Sequence, residues 1–97
     1  MKNKNKWISH KDLKAEFLKD PQLRSEYYKL EAEFQIARQI IGARIKQNIS
    51  QEELARRAST GQAVISRLEG MNGKPSISLL EKIARALNTK ISVTINP

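Results

Sequence analysis

Residues 51–69, QEELARRASTGQAVISRLE, hold two short runs of helical periodicity that meet at Ser59-Thr60-Gly61. This junction restricts the fold more than any other stretch of the chain. In the first run Leu54, Ala55 and Ala58 share one side. In the second, Ile65 and Leu68 form an inward pair. Ser50-Gln51-Glu52-Glu53 has the S-x-x-E spacing of a capping box, which starts a helix over 51–58. A second helix is expected over about 62–70. It is closed by Gly70, Asn72 and Gly73, and Pro75 forbids continuation. With Ile65 and Leu68 turned in, Gln62, Ala63, Ser66 and Arg67 lie together on the outward face.

The flanking sequence is also mainly helical. Residues from Ser9-His10 suggest a short helix with Leu13 and Phe17 on its inner side. Asp20 caps a helix that starts at Pro21, runs to about 29 and buries Leu23, Tyr27 and Leu30. Leu30, Phe34, Ala37, Ile41 and Ile45 recur at steps of three and four, an apolar stripe on a helix over 31–47 that Asn48 ends. Gly42 either weakens that helix or admits a close neighbour. Ser76 or Ser78 starts a further helix with Leu80, Ile83, Ala84 and Leu87 at i, i+3, i+4 and i+7, and Asn88 closes it. Residues 91–95, ISVTI, alternate β-branched apolar and hydroxyl side chains and predict the chain's one strand. A lone strand leaves backbone groups unpaired, so it is expected to pair with its copy in a second subunit through Ile91, Val93 and Ile95; the alternative is a frayed tail lying on the core.

Composition excludes several chemistries. There is no cysteine among the 97 residues, so disulfides and thiolate zinc sites are absent. No window approaches the roughly 18 apolar residues of a membrane span, and MKNKNKWISHKDLK lacks the apolar core of a signal peptide. His10 is the only histidine, and Ser9, His10 and Asp12 are too close in sequence to build a triad. Trp7, among lysines, is expected to tuck onto the first helix or to be disordered, the alternative being a contact with a partner. No cofactor, metal, small-molecule ligand or enzymatic activity is expected. The formal net charge is +8, which favours a polyanionic partner. Residues 36–97 carry ten basic and four acidic side chains, whereas residues 10–35 carry five and six.

The outward face of 62–69 suits a DNA major groove. Glutamine donates and accepts as an adenine edge requires. Arginine gives two parallel bonds to guanine, alanine packs on a thymine methyl, and serine bonds base or phosphate. Gln51 at a helix start, with Asn72 and Lys74 after the reading helix, can hold phosphates. The spacing of 51–69 is that of a helix-turn-helix.

The run SQEELARRASTGQAVISRLEGMNGKPSISLLEKIARAL resembles the DNA-binding domain of phage Cro and repressor proteins and their bacterial relatives. The matching residues are Ser50-Gln51-Glu52, Leu54-Ala55, Gln62, Ile65-Ser66-Arg67, Glu69, Pro75-Ser76 and Ala86-Leu87, within about 36–88. The resemblance implies an all-α fold. It would be a five-helix Cro/repressor-like bundle, here with extra N-terminal helices and one short C-terminal strand pairing across a homodimer. It also implies that Gln51 clamps a phosphate and supports Gln62. Gln62, Ala63 and Arg67 would read bases, and Glu69 would pair with an arginine such as Arg44. Two positions depart from the family pattern. Gly61 stands where Ser or Thr usually caps the reading helix, and Met71 stands where glycine is usual.

The flanks, Asp20-Pro21, Glu26-Tyr27, Leu30-Glu31, Glu33-Phe34 and Ala37-Arg38, are similar to the HigA-type antitoxins. That likeness implies a cytoplasmic bacterial protein, at the nucleoid when bound to a pseudo-palindromic operator. It would repress its own operon and neutralise a basic RelE-like ribonuclease toxin, HigB. The expected organisation is a toxin-contacting segment at 1–30, with Phe17, Asp20, Tyr28 and Glu31 as contacts. A DNA-binding domain at 31–88 and a dimerisation tail at 89–97 follow. The alternative is a stand-alone phage-type repressor with no toxin partner.

Overall fold

A computed structural model of the chain describes residues 10–94. Trp7 and Ile95, both given roles above, lie outside the described residues. Five helices follow one another: α1 (His10–Lys19), α2 (Pro21–Lys46), α3 (Gln51–Arg57), α4 (Gln62–Glu69) and α5 (Ile77–Ala86). The chain divides into two compact units between Glu31 and Ala32, and α2 runs through the division.

The first correction to the sequence reading is α2 itself. The helices expected over 21–29 and 31–47 are one, because the junction at Leu30-Glu31 has no glycine, proline or capping residue to stop it. Its start is as expected. Asp20 Oδ1 accepts from the Gln22 and Leu23 backbone N–H groups at 2.8 and 3.3 Å, and Pro21 takes the first helical position.

In the first unit the inward residues assigned from periodicity divide: Phe17 and Tyr27 are half-buried, the leucines are not. Leu13, Leu23 and Leu30 are exposed. Tyr27 gathers the contacts there. Its ring lies 6.2 Å from Phe17 and 5.7 Å, edge-on, from Tyr28, and Lys14 Nζ sits 5.8 Å above it. Both tyrosines are half-buried.

The core belongs to the second unit. Ile36, Ile40, Leu54, Ala55, Ala58, Ile65, Leu68, Ile83 and Leu87 form one buried cluster drawn from α2 through α5 and the residue after it. Here too α2 departs from expectation. The row facing the core is Ile36, Ala37 and Ile40, while Phe34 and Ile45 are exposed. Gly42 is exposed with open space around it, so it admits no close neighbour.

Helix boundaries follow from local chemistry. Ser50 caps α3 by accepting from the Glu53 N–H, and Ser76, not Ser78, caps α5 by accepting from the Leu79 N–H, both at 3.0 Å. The capping box is half made. Glu53 does not reach back to Ser50 but holds Arg56 and Arg57, whose hydrogen bonds bring its carboxyl down to about 2.

The expected strand is the second correction. Among the described residues there is no strand, and residues 91–94 follow α5 with no backbone ladder. The polar groups of Ser92 and Thr94 are met instead by side chains of α2. The Ser92 N–H and carbonyl bond the Gln39 amide at 3.0 and 2.6 Å, and those of Thr94 bond the Gln35 amide at 2.7 and 3.1 Å. The sequence argument required a backbone partner, and side-chain amides satisfy the same requirement.

Candidate nucleic-acid interface

The interface is built by α3, the turn and α4. Leu54, Ala55 and Ala58 hold α3 to the core, and Ile65 and Leu68 hold α4. Burying these five fixes the rotation of both helices. Gln62, Ala63, Ser66 and Arg67 are consequently all exposed on α4. The turn is closed by local bonds. The Thr60 N–H donates to the Ala55 carbonyl at 2.9 Å and the Ser59 N–H to Arg56 at 3.2 Å, with Ser59 at a φ of 55°.

Gly61 is the N-cap of α4, with extended backbone and no side-chain cap bond. Its carbonyl accepts from Val64 and Ile65. The N–H groups of Gln62 and Ala63 therefore face outward without a partner among the described residues, at the positive end of the helix dipole. That is a phosphate-sized donor pair.

A charged network sits behind this surface. Arg44 on α2 grips Glu69 at the end of α4 bidentately, Nε to Oε2 at 2.7 Å and Nη2 to Oε1 at 3.0 Å. Its Nη1 donates to the Ile49 carbonyl at 3.0 Å. The Glu69 side chain is 6% exposed. The hydrogen bond to Glu69 raises the Arg44 pKa, overcoming the opposing effect of burial. The pairing of Arg44 with Glu69 is thus present. Gln51 joins it by donating from Nε2 to Glu69 Oε1 at 3.0 Å. Its amide is directed at Glu69 rather than at Gln62. One of its two amide hydrogens is engaged, and the half-buried side chain is fixed at the start of α3.

A family model for helix-turn-helix domains matches residues 40–93, from within α2 to the C-terminal extension. The chain belongs to the helix-turn-helix family of the Cro and phage-repressor type. As a member of that family it is a DNA-binding transcription regulator. No curated protein and no solved structure matches the chain.

Within this helix-turn-helix domain, Asn72 and Lys74 are exposed in the loop after α4. Met71 takes a φ of 62° at the position where the family usually has glycine, and Gly70 and Gly73 have ordinary negative φ. The loop is therefore the usual left-handed stop made with an unusual residue.

The residues assigned to a protein partner fall in the first unit. Phe17 and Tyr28 flank Tyr27, and Glu31 Oε1 accepts from the Tyr27 hydroxyl at 3.3 Å. The Asp20 carboxylate is engaged in capping α2. Gln35 and Gln39 escaped the sequence reading. The signal for the glutamines was available: two amides four apart on one helix, and two hydroxyl residues two apart in an extended run.

Among the described residues no group of acidic or histidine side chains has the arrangement of a metal site. No helix there is long and apolar enough to cross a membrane.

Proposed function

We propose that this regulator is a DNA-binding antitoxin of the HigA type. It represses its own operon as a homodimer and neutralises a small basic RelE-like ribonuclease, HigB. One observation carries the DNA half of this reading: Ile65 and Leu68 are buried while Gln62, Ala63, Ser66 and Arg67 of the same helix are exposed. In a dimer two such helices enter successive major grooves about 34 Å apart. Gln51, Asn72 and Lys74 take phosphates, with the free N–H groups of Gln62 and Ala63. A pseudo-palindromic operator follows from the two-fold symmetry, and the protein works in the cytoplasm.

The toxin half rests on the resemblance of the flanks and on charge. Residues 10–35 are the acid-rich part of a basic chain, which suits a basic partner. Residues 1–30 are assigned to the toxin, with Phe17, Asp20, Tyr28 and Glu31 as contacts. Residues 31–88 are assigned to DNA and 89–97 to dimerisation, through Ile91, Val93 and Ile95. The test is a deletion of residues 1–19, assayed on operator DNA and on the RelE-like chain encoded beside this gene. Toxin affinity is expected to fall at least tenfold with operator affinity nearly unchanged. A neighbouring gene that encodes no such chain, or a deletion that weakens only DNA binding, supports the stand-alone repressor instead.

A further inference from the structure

Two glutamines on α2 and two residues of the C-terminal extension meet in register. Gln39 and Gln35 are one helical turn apart, so their side chains rise from the same face at a separation of about 6 Å. Ser92 and Thr94 are two residues apart in an extended segment, about 6.6 Å. The spacings agree, and each primary amide meets both polar groups of one residue. Gln39 accepts from the Ser92 N–H and donates to its carbonyl, and Gln35 does the same for Thr94. Gln39 Nε2 also donates to the Gln35 carbonyl at 2.9 Å, which steadies the pair. A carboxamide has the donor and acceptor of a peptide group. The two side chains therefore serve as a substitute strand lying antiparallel to residues 92–94.

In an extended chain the polar groups of alternate residues point to opposite edges. With Ser92 and Thr94 turned to α2, the N–H and carbonyl groups of Val93 point away, and they have no partner among the described residues. The outer edge is thus left open.

We propose that Gln35 and Gln39 are positioning residues for self-association. They preform residues 91–94 as an edge that pairs antiparallel with the same edge of a second copy about a two-fold axis at Val93. This rests on the dimeric reading given above and supplies its missing mechanism. A second copy is the fitting occupant for two reasons. An antiparallel edge centred on one residue is complementary to itself, as an isologous contact requires. The chain also carries a net charge of +8, yet Ile91–Pro97 has no charged residue, so two copies meet here without repulsion.

Sedimentation equilibrium on the full chain tests the proposal with four proteins. The wild type is expected to dimerise. Val93→Pro, which removes an outward N–H and disturbs no bond to α2, is expected to be monomeric. Gln35→Ala/Gln39→Ala is expected to weaken the dimer at least tenfold while its circular dichroism shows a folded chain. Gln35→Glu/Gln39→Glu gives the decisive readout. A carboxylate repels the Ser92 and Thr94 carbonyls, whereas a protonated carboxyl restores donor and acceptor together. Its dimer is expected to be weak at pH 7 and to recover as pH falls toward about 4.3, the usual glutamate value, with the wild type unchanged over that range. A wild type that is monomeric at every concentration overturns both the dimeric reading and this proposal. A dimeric wild type with a monomeric Val93→Pro, but with glutamine variants of unaltered affinity at both pH values, overturns the role of the glutamines alone.

Discussion

Glu69 is a carboxylate at the end of the short helix α4, yet its side chain is almost wholly covered. That burial is tolerable because Arg44 supplies two parallel charge-assisted bonds and Gln51 a third. Removing one partner is much worse than removing both, since the remaining charge stays buried and unpaired. Glu69→Ala is therefore expected to destabilise the fold by about 3 kcal/mol in urea unfolding, whereas Arg44→Met/Glu69→Leu recovers most of the loss. The single change also frees the Gln51 amide, so operator affinity falls even in protein that remains folded. If the double variant is no more stable than Glu69→Ala, the pair is not what makes the position costly. The Arg44–Glu69 contact was legible in the sequence through the family pattern. The third bond was not, because pattern matching places Gln51 at a phosphate and says nothing of what steadies it.

At the level of elements, the four helices α2 to α5 end in the same way. Asn48, Ser59, Met71 and Asn88 each take a positive φ near 55–60° (59, 55, 62 and 53°). In each case the following N–H reaches back to a carbonyl five residues earlier, as in Asn72 to Arg67 at 2.8 Å and Thr89 to Ala84 at 2.9 Å. Asparagine tolerates this conformation, and Asn48 and Asn88 were readable as stops for that reason. Met71 does not, since a left-handed residue with a side chain costs roughly 1–2 kcal/mol. Met71→Gly is expected to raise stability by about 1 kcal/mol, after some loss of side-chain contact, and to raise the midpoint of thermal unfolding by about 4–8 °C. An unchanged or lowered midpoint would show that packing of the methionine outweighs its strain. The same scale shows where sequence reasoning stopped. On α2 two apolar rows share one long helix, Ile36 with Ile40 and Phe34 with Ile41 and Ile45. Periodicity alone cannot say which one meets a core supplied by α3, α4 and α5. The alternation in ISVTI predicts a strand that the described residues 91–94 do not form; Ser92 and Thr94 are held by side chains of α2, which leave no mark in backbone pattern.

Taken whole, the molecule carries its positive excess in residues 36–97, the part that holds the helix-turn-helix, and in residues 1–9, but not in residues 10–35. Two kinds of DNA contact then need to be told apart, those that attract any duplex and those that select one. Lys74 is exposed in the loop after α4, and the role proposed for it is to meet phosphate as a point charge. Arg67 is exposed within α4 on the face that carries Gln62, Ala63 and Ser66, and the role proposed for its planar fork is to meet a guanine edge. Lys74→Ala is expected to weaken operator and random DNA alike and to flatten the plot of log affinity against log salt by about one unit per protomer. Arg67→Ala is expected to cost about 1–3 kcal/mol on the operator and much less on random DNA, relaxing selection at one base pair per half-site. Fluorescence anisotropy on both duplexes across a salt series measures the two together. If Arg67→Ala costs the same on both duplexes, Arg67 is a phosphate contact, and the reading helix lies across the backbone rather than in the groove.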